Sequence, residues 1–142
     1  MRIEVTLDEG AHMPTRGTER SAGLDFYARE GALIPPGDTV KVGTGVHMAI
    51  PAGHVGLCFP RSGLSTKRGL TLANCVGVID SDYRGEVMAP LHNLSHGART
   101  VKAGERIFQM IVMRYPDVEL EQVAELDETE RGEGGFGSTG AM

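Results

Sequence analysis

Apolar side chains recur at every second position in segment after segment of this sequence. Ile3, Val5 and Leu7 alternate with charged or hydroxyl neighbours; so do Val46, Met48 and Ile50, then Val55, Leu57 and Phe59, then Val87, Ala89 and Leu91. Successive side chains of an extended chain point to opposite faces, so this is the pattern of strands with one face buried. Turn residues separate the segments: Pro35-Pro36-Gly37, Pro51-Ala52-Gly53, Asn93 to Gly97, and Lys102-Ala103-Gly104. Short strands spaced by roughly 8–12 residues predict an all-β fold, a sandwich, barrel or jelly roll. One short helix is expected after Arg61, over Ser62 to Lys67 and before Gly69. No βαβ alternation is present, which disfavours Rossmann and P-loop architectures. A chain of 142 residues suffices for one domain with one modest core.

Beyond about Glu125 the alternation stops. Residues 125–142 hold five glycines, five acids and almost nothing to bury, which predicts a core over 1–124 and a mobile arm over 125–142. The same segment explains the net charge of −5. Residues 1–116 carry 13 Lys+Arg against 11 Asp+Glu, whereas residues 117–142 carry one Arg against eight acids. The body is thus slightly cationic and only the tail is acidic. Glycine, at 20 of 142, is about twice its usual ~7% and points to turns, close approaches or ligand contacts. No apolar run nears the ~18 residues of a membrane span, and no basic segment leads into an apolar one at the start. A cytoplasmic protein with neither a membrane nor a nucleic-acid partner is expected. Cys58 and Cys75 lack zinc spacing and read as two buried, reduced thiols.

Four places could carry chemistry. In Pro60-Arg61-Ser62-Gly63, arginine offers a fork for phosphate oxygens, serine a hydroxyl and glycine a closely approachable amide; the same residues also make an ordinary turn. Asp80 ends the apolar run Val76 to Ile79, in a strand–turn–strand pattern that reads as a hairpin turning near Ser81 to Gly85. A carboxylate there would be partly desolvated and a better base, or would merely form an Asx turn. Tyr83 is either a ligand contact or a cross-strand packing residue. Asp25, flanked by apolar residues, is either paired with an arginine or holds a hydrated metal near phosphate. Arg131 is the one cation in the acidic tail, five residues before a lone aromatic, Phe136, set among glycines. That end is either a flap that covers a ligand or low-complexity sequence without function.

Together these residues make the inventory of a nucleotide hydrolase, and five segments carry a family resemblance. AGLDFYA (22–28), PRSGLS (60–65), NCVGVIDSDYRGEV (74–87), GERIFQMI (104–111) and RGEGGFGSTG (131–140) resemble, in order, the motifs of the homotrimeric dUTP pyrophosphatase (dUTPase) family. The resemblance implies a jelly-roll-like distorted β-barrel with one short helix, assembled as a threefold trimer. It implies active sites between subunits, each closed by a glycine-rich arm from a neighbour, and Mg²⁺-assisted hydrolysis of dUTP to dUMP and pyrophosphate. That reaction limits uracil in DNA and supplies the thymidylate precursor.

Carried over by motif position, Asp80 would activate the water that attacks the α-phosphorus. Asp25 would hold Mg²⁺ through a bound water. Arg61, Ser62, Gly63 and Gln109 would contact the phosphate chain, joined from the arm by Arg131, Gly137, Ser138 and Thr139, with Phe136 stacked over uracil. Asn74 and the backbone of Gly77, Val78 and Ile79 would read the uracil edge, and Tyr83 would pack beneath deoxyribose and reject a 2′-hydroxyl. Met88 matches a substrate-contacting position in some members. Phe108 stands where a smaller residue, usually alanine, is commoner, with an expected influence on packing near Gln109 and on the subunit interface.

A dCTP deaminase would need a glutamate base where this chain has Asp80, and lacks such an arm. A jelly-roll structural subunit would account for the strands but not the arm. A regulatory use of the same fold, in which dUTP switches a protein partner, is compatible with the sequence as a second role.

Overall fold

The alternating segments do form strands. The computed structural model describes residues 1–135 as twelve strands and one helix. In order they are β1 (Glu4–Leu7), β2 (Thr15–Arg16), β3 (Leu24–Tyr27), β4 (Ala32–Ile34), β5 (Thr39–Gly43), β6 (Val46–Ala49) and β7 (His54–Pro60). There follow α1 (Ser62–Arg68), β8 (Leu70–Leu72), β9 (Gly77–Ile79), β10 (Met88–Asn93), β11 (Arg99–Val101) and β12 (Arg106–Arg114). The strands pair as a five-stranded sheet, β2-β3-β12-β7-β9, a three-stranded sheet, β5-β10-β8, and the pairs β1-β6 and β4-β11, all antiparallel. Among these pairings only β2–β3 joins strands that are consecutive in the chain. The architecture is the expected all-β, jelly-roll-like one, held by contacts distant in sequence.

Turn chemistry fixes the strand ends. Pro36 and Gly37 occupy the centre of a turn closed by Asp38 N to Pro35 O at 3.2 Å, and Gly37 has φ +76°. A type II turn demands that positive φ, and glycine meets it without strain. The helix ends as predicted: Gly69 is left-handed at φ +67°, and its N–H bonds back to Ser65 O at 3.2 Å.

The core lies between the sheets, with Phe26 and Phe108 stacked at 4.7 Å between centroids. Phe108 is fully buried, so the bulk of this ring fills the chain's own interior. Asn93 is also fully buried, and its amide is satisfied by Ile34 O, Gly97 O and Ser95.

Several expectations are corrected. On β7 the buried residues are Gly56 and Cys58, while Val55, Leu57 and Phe59 are half-buried on the opposite face. The alternation marked a real strand, but its apolar set faces outward, beside Ile111, Met113 and Val78 of β12 and β9. The predicted hairpin around Ser81 is a turn without a ladder: Tyr83 N bonds Asp80 O at 3.2 Å, yet β9 pairs with β7 and β10 with β5 and β8. Cys58 is buried, and desolvation pushes its thiol up to about 12. Cys75, by contrast, is exposed, because it sits in a turn at φ +60° rather than in a strand. The last strand ends at Arg114, and residues 115–135 carry neither strand nor helix, with Val118, Leu120 and Val123 exposed. No helix among the described residues is long and apolar enough to cross a membrane.

Candidate active site

The five-stranded sheet builds a polar cleft on its outer face. Strand alternation turns Phe26 into the core and Asp25 outward, and the register sets Asp25 opposite Gln109 on β12, which in turn faces Phe59 on β7. One residue beyond β7, Arg61 sits at the N-cap of α1 and folds back over the sheet. Its Nε donates to Asp25 Oδ1 at 2.9 Å, and Arg106 Nη1 donates to Asp25 Oδ2 at 3.2 Å. Gln109 Nε2 donates to Pro60 O at 3.1 Å. Its carboxamide fits because residue 23 is glycine: a Cβ there would lie 2.6 Å from Gln109 Oε1.

These side chains, with Ser62 and Gly63, line a cleft of about 480 Å³. Asp25 is nearly buried, and with both carboxylate oxygens bonded its charge is satisfied by the two guanidinium groups. Two cations against one anion leave the cleft positive. The first turn of α1 at its edge carries no acidic residue. Such a surface accepts an anion whose oxygens can take several N–H and O–H donors. Gly63 is informative here. A Cβ on it would meet nothing within 4 Å, so the chain's own packing does not require glycine. A glycine inside a helix costs about 1 kcal/mol relative to alanine. Keeping that space open fits the close approach of a ligand.

Arg106 was not among the residues singled out from the sequence, although its segment was. The reason is a β-bulge: the register with β3 shifts between Arg106 and Phe108, and both Ile107 and Phe108 are buried. In a regular strand, positions 106 and 109 would face opposite ways; the extra residue brings both to the cleft. Ser21 and Gly17, from the segment before β3, complete its rim.

The remaining expected residues do not join this cleft within the single chain. Val78 and Asp80 lie on the same outer face, but the register carries Asp80 level with Val55, whose partner on β12 is Met113. That is four residues along β12 from Gln109 and two strands across. At ~3.3 Å per residue and ~4.8 Å per strand, the separation is roughly 16 Å. Asp80 is exposed, so the expected partial desolvation is not supplied by its own chain. Asn74 is also exposed and lies against Gly77, where a Cβ would be 3.4 Å from its Nδ2. The Tyr83 ring rests on Gly85, and its hydroxyl donates to Glu86 O at 2.9 Å. Met88 borders a separate, smaller cleft with Arg29 and Glu86. Arg131 is exposed within a turn closed by Gly132 N and Thr129 O at 3.0 Å. Phe136, Gly137, Ser138 and Thr139 lie outside the described residues.

The dUTPase family model matches residues 9–140. The chain belongs to the dUTPase family. A deoxyuridine 5′-triphosphate nucleotidohydrolase of Finegoldia magna is 42% identical over 99% of both chains, and one of Mycobacterium bovis is 45% identical over 96% of this chain and 92% of its own. Among solved structures, a variant of the Staphylococcus bacteriophage 80alpha dUTPase bound to dUpNHpp superposes with a TM-score of 0.92, at 30% identity over 98% of each chain. A phage phi11 dUTPase variant, at 26% identity, TM-score 0.82, and 88% and 98% coverage of the two chains, is described as revealing the coordination of a structural Mg(II) ion. The chain is therefore a dUTP nucleotidohydrolase with the dUTPase fold.

The donors in this cleft of the dUTPase suit Mg²⁺ held through water. Among the described residues no three His, Cys, Asp or Glu side chains come together. Mg²⁺ keeps several waters and uses one or two carboxylates plus substrate phosphates. With both oxygens of Asp25 already bonded to arginines, the donor set suits an ion held through water and a bound triphosphate rather than a protein cage.

Proposed function

We propose that this dUTPase hydrolyses dUTP to dUMP and pyrophosphate at sites completed between copies of the chain, assembled as a homotrimer. The observation that carries this reading is the division of the site. Arg61, Ser62, Gly63, Gln109 and Asp25 share one cleft, Asp80 lies roughly 16 Å away by strand spacing, and Asn74 and Tyr83 are not among the residues that line it. A base must come within hydrogen-bond reach of the water it activates, and a separation of that size leaves Asp80 of the same chain too far from the cleft. The outer sheet face supports assembly: Val78 is 60% and Met113 48% exposed, beside half-buried Leu57, Phe59 and Ile111. Covering such a face stabilises an oligomer by about 25 cal/mol per Å² of apolar surface removed from water.

In this reading Arg61, Ser62, Gly63 and Gln109 hold the phosphate chain, and Arg106 shares the same oxygens. Asp25 keeps the two guanidinium groups in place and would accept from waters of a bound Mg²⁺, which would supply neutralising charge along the triphosphate. Asp80 of a neighbouring copy takes the proton from the attacking water, the bond from the α-phosphorus to the bridging oxygen breaks, and pyrophosphate leaves. Asn74 with the backbone of Gly77, Val78 and Ile79 reads uracil, which cytosine cannot mimic because its donor and acceptor are inverted. Tyr83 lies against the sugar, with Met88 at the margin. Residues 125–142 form the arm, in which Arg131, Gly137, Ser138 and Thr139 reach the phosphates and Phe136 covers the base. Acting in the cytoplasm, the enzyme would limit uracil in DNA and supply dUMP.

Pyrophosphate release measured with dUTP, UTP and dCTP tests the specificity; equal rates with the three nucleotides would sink it. Tyr83→Ala is expected to relax the preference for dUTP over UTP by about 10²-fold. Gly63→Ala is expected to leave or raise the melting temperature, through up to ~1 kcal/mol of helix propensity. It should nevertheless raise the KM for dUTP about tenfold, and an unchanged KM would remove Gly63 from the phosphate contacts.

A further inference from the structure

We propose that His47 is a positioning residue for the substrate loop: through the Arg84 carbonyl it fastens residues 80–87 to the β1–β6 pair, and its charge state sets how firmly Tyr83 is presented to the nucleotide. The inference rests on the assignment of Tyr83 to the sugar. His47 lies on β6 opposite Thr6 of β1. Its Nδ1 is 2.9 Å from Arg84 O, and its Nε2 is 3.4 Å from Asp8 Oδ1, just past the end of β1. A carbonyl only accepts, so this geometry requires a proton on Nδ1. A proton on Nε2 as well exists only in the imidazolium, where it faces the Asp8 carboxylate. Asp8 is itself anchored by Arg29 Nη1 at 2.9 Å.

Arg84 is the residue through which a tether would act on the whole loop. Its Nη1 donates to Ser81 O at 2.8 Å and to Tyr83 O at 2.9 Å, closing the turn, while its own carbonyl meets His47. A second tie lies beyond it: Gly45 N donates to Glu86 Oε1 at 2.7 Å, and Tyr83 Oη donates to Glu86 O. The charged groups around His47 are Asp8 with Arg29 behind it, Glu4 along the same 400 Å³ cleft on β1, and Arg84 and Glu86 from the loop.

The hydrogen bond to Arg84 O is the largest influence and raises the pKa of His47 above 6.5; burial opposes it, and Asp8 and Glu86 add smaller upward effects. A raised value means that the docked loop favours the imidazolium. The extra hold is therefore complete below the ordinary histidine range and is lost as pH rises through the raised value.

The test compares kcat and KM for dUTP between about pH 5.5 and 8.5 in wild type, His47→Ala, His47→Asn and Tyr83→Ala. His47→Ala should raise KM about three- to tenfold with little change in kcat, the size of one ordinary hydrogen bond. His47→Asn keeps a donor for the Arg84 carbonyl without a titrating group, so it should restore most of the affinity at high pH. The ratio of wild-type KM to that of His47→Asn should then climb with pH, and taking the ratio cancels ionisation of the nucleotide. A ratio flat across the range, or a His47→Ala KM equal to wild type, overturns the proposal. If Tyr83→Ala raises KM while His47→Ala does not, only the tether fails; if neither does, the placement of Tyr83 fails first.

Discussion

Asp80→Asn is expected to lower kcat for dUTP by about 10²–10⁴-fold, the usual contribution of a positioned base, while nucleotide binding persists. Asparagine keeps the size of the side chain but cannot take a proton from water. The fold should not register the change, because Asp80 is exposed and the turn it begins is closed by backbone atoms, Tyr83 N to Asp80 O. Pyrophosphate release gives the loss of turnover, and titration with a non-hydrolysable dUTP analogue gives retained affinity; retained turnover would remove Asp80 as the base. The same variant tests the division of the site. Chains carrying Asp80→Asn and chains carrying Arg61→Ala are each expected to be nearly inactive. If every site takes Asp80 from one copy and Arg61 from another, refolding the two together restores part of the activity, since some sites in mixed assemblies hold both residues. A site contained in one chain predicts no recovery, because each chain would still carry a lesion.

Much of the fold was legible because period-two alternation and turn chemistry are local properties. Pro36-Gly37 and Gly69 dictate their own backbone, so the turn and the helix end fall where their residues place them. Which face of a strand meets the core is not local. Val55, Leu57 and Phe59 read as a buried set, yet β7 turns Gly56 and Cys58 inward, because the sheet has apolar residues on both faces. The supposed hairpin at Ser81 failed for a related reason: two strands adjacent in sequence found partners in different sheets. At the site, Asp25, Arg61, Ser62 and Gly63 were legible from their chemistry and Gln109 from the family resemblance, and the structure brings them together. Arg106 was hidden by a bulge that reverses the parity of β12, which no count of alternate positions reveals. The distance of Asp80 from the cleft was equally invisible, since it depends on the register of three strands.

Deleting residues 130–142 is expected to cut kcat/KM for dUTP by about 10²–10⁴-fold and to leave the melting temperature nearly unchanged. The stability half of this expectation follows from the structure. Among the described residues every member of the buried core lies at or before Met110, Val112 is the last to pack against it, and the chain beyond Arg114 is exposed through Glu133. The described part of the deleted segment, residues 130–135, buries almost nothing, so its removal has little to destabilise. The activity half follows from the proposed contacts, in which Arg131 contributes a charge-assisted bond to phosphate and Phe136 a stacked ring, each worth about 1–3 kcal/mol. The two contributions separate experimentally. The loss from Arg131→Ala should grow smaller as salt rises, because screening weakens the interaction that the variant removes. The loss from Phe136→Ala should depend weakly on salt and be largely recovered by Phe136→Tyr, which keeps a ring over the base. Full activity after the deletion would make the arm dispensable, and dissociation into monomers would make it an assembly device. An unchanged oligomeric state with little turnover is the result that assigns it to the closing of the site.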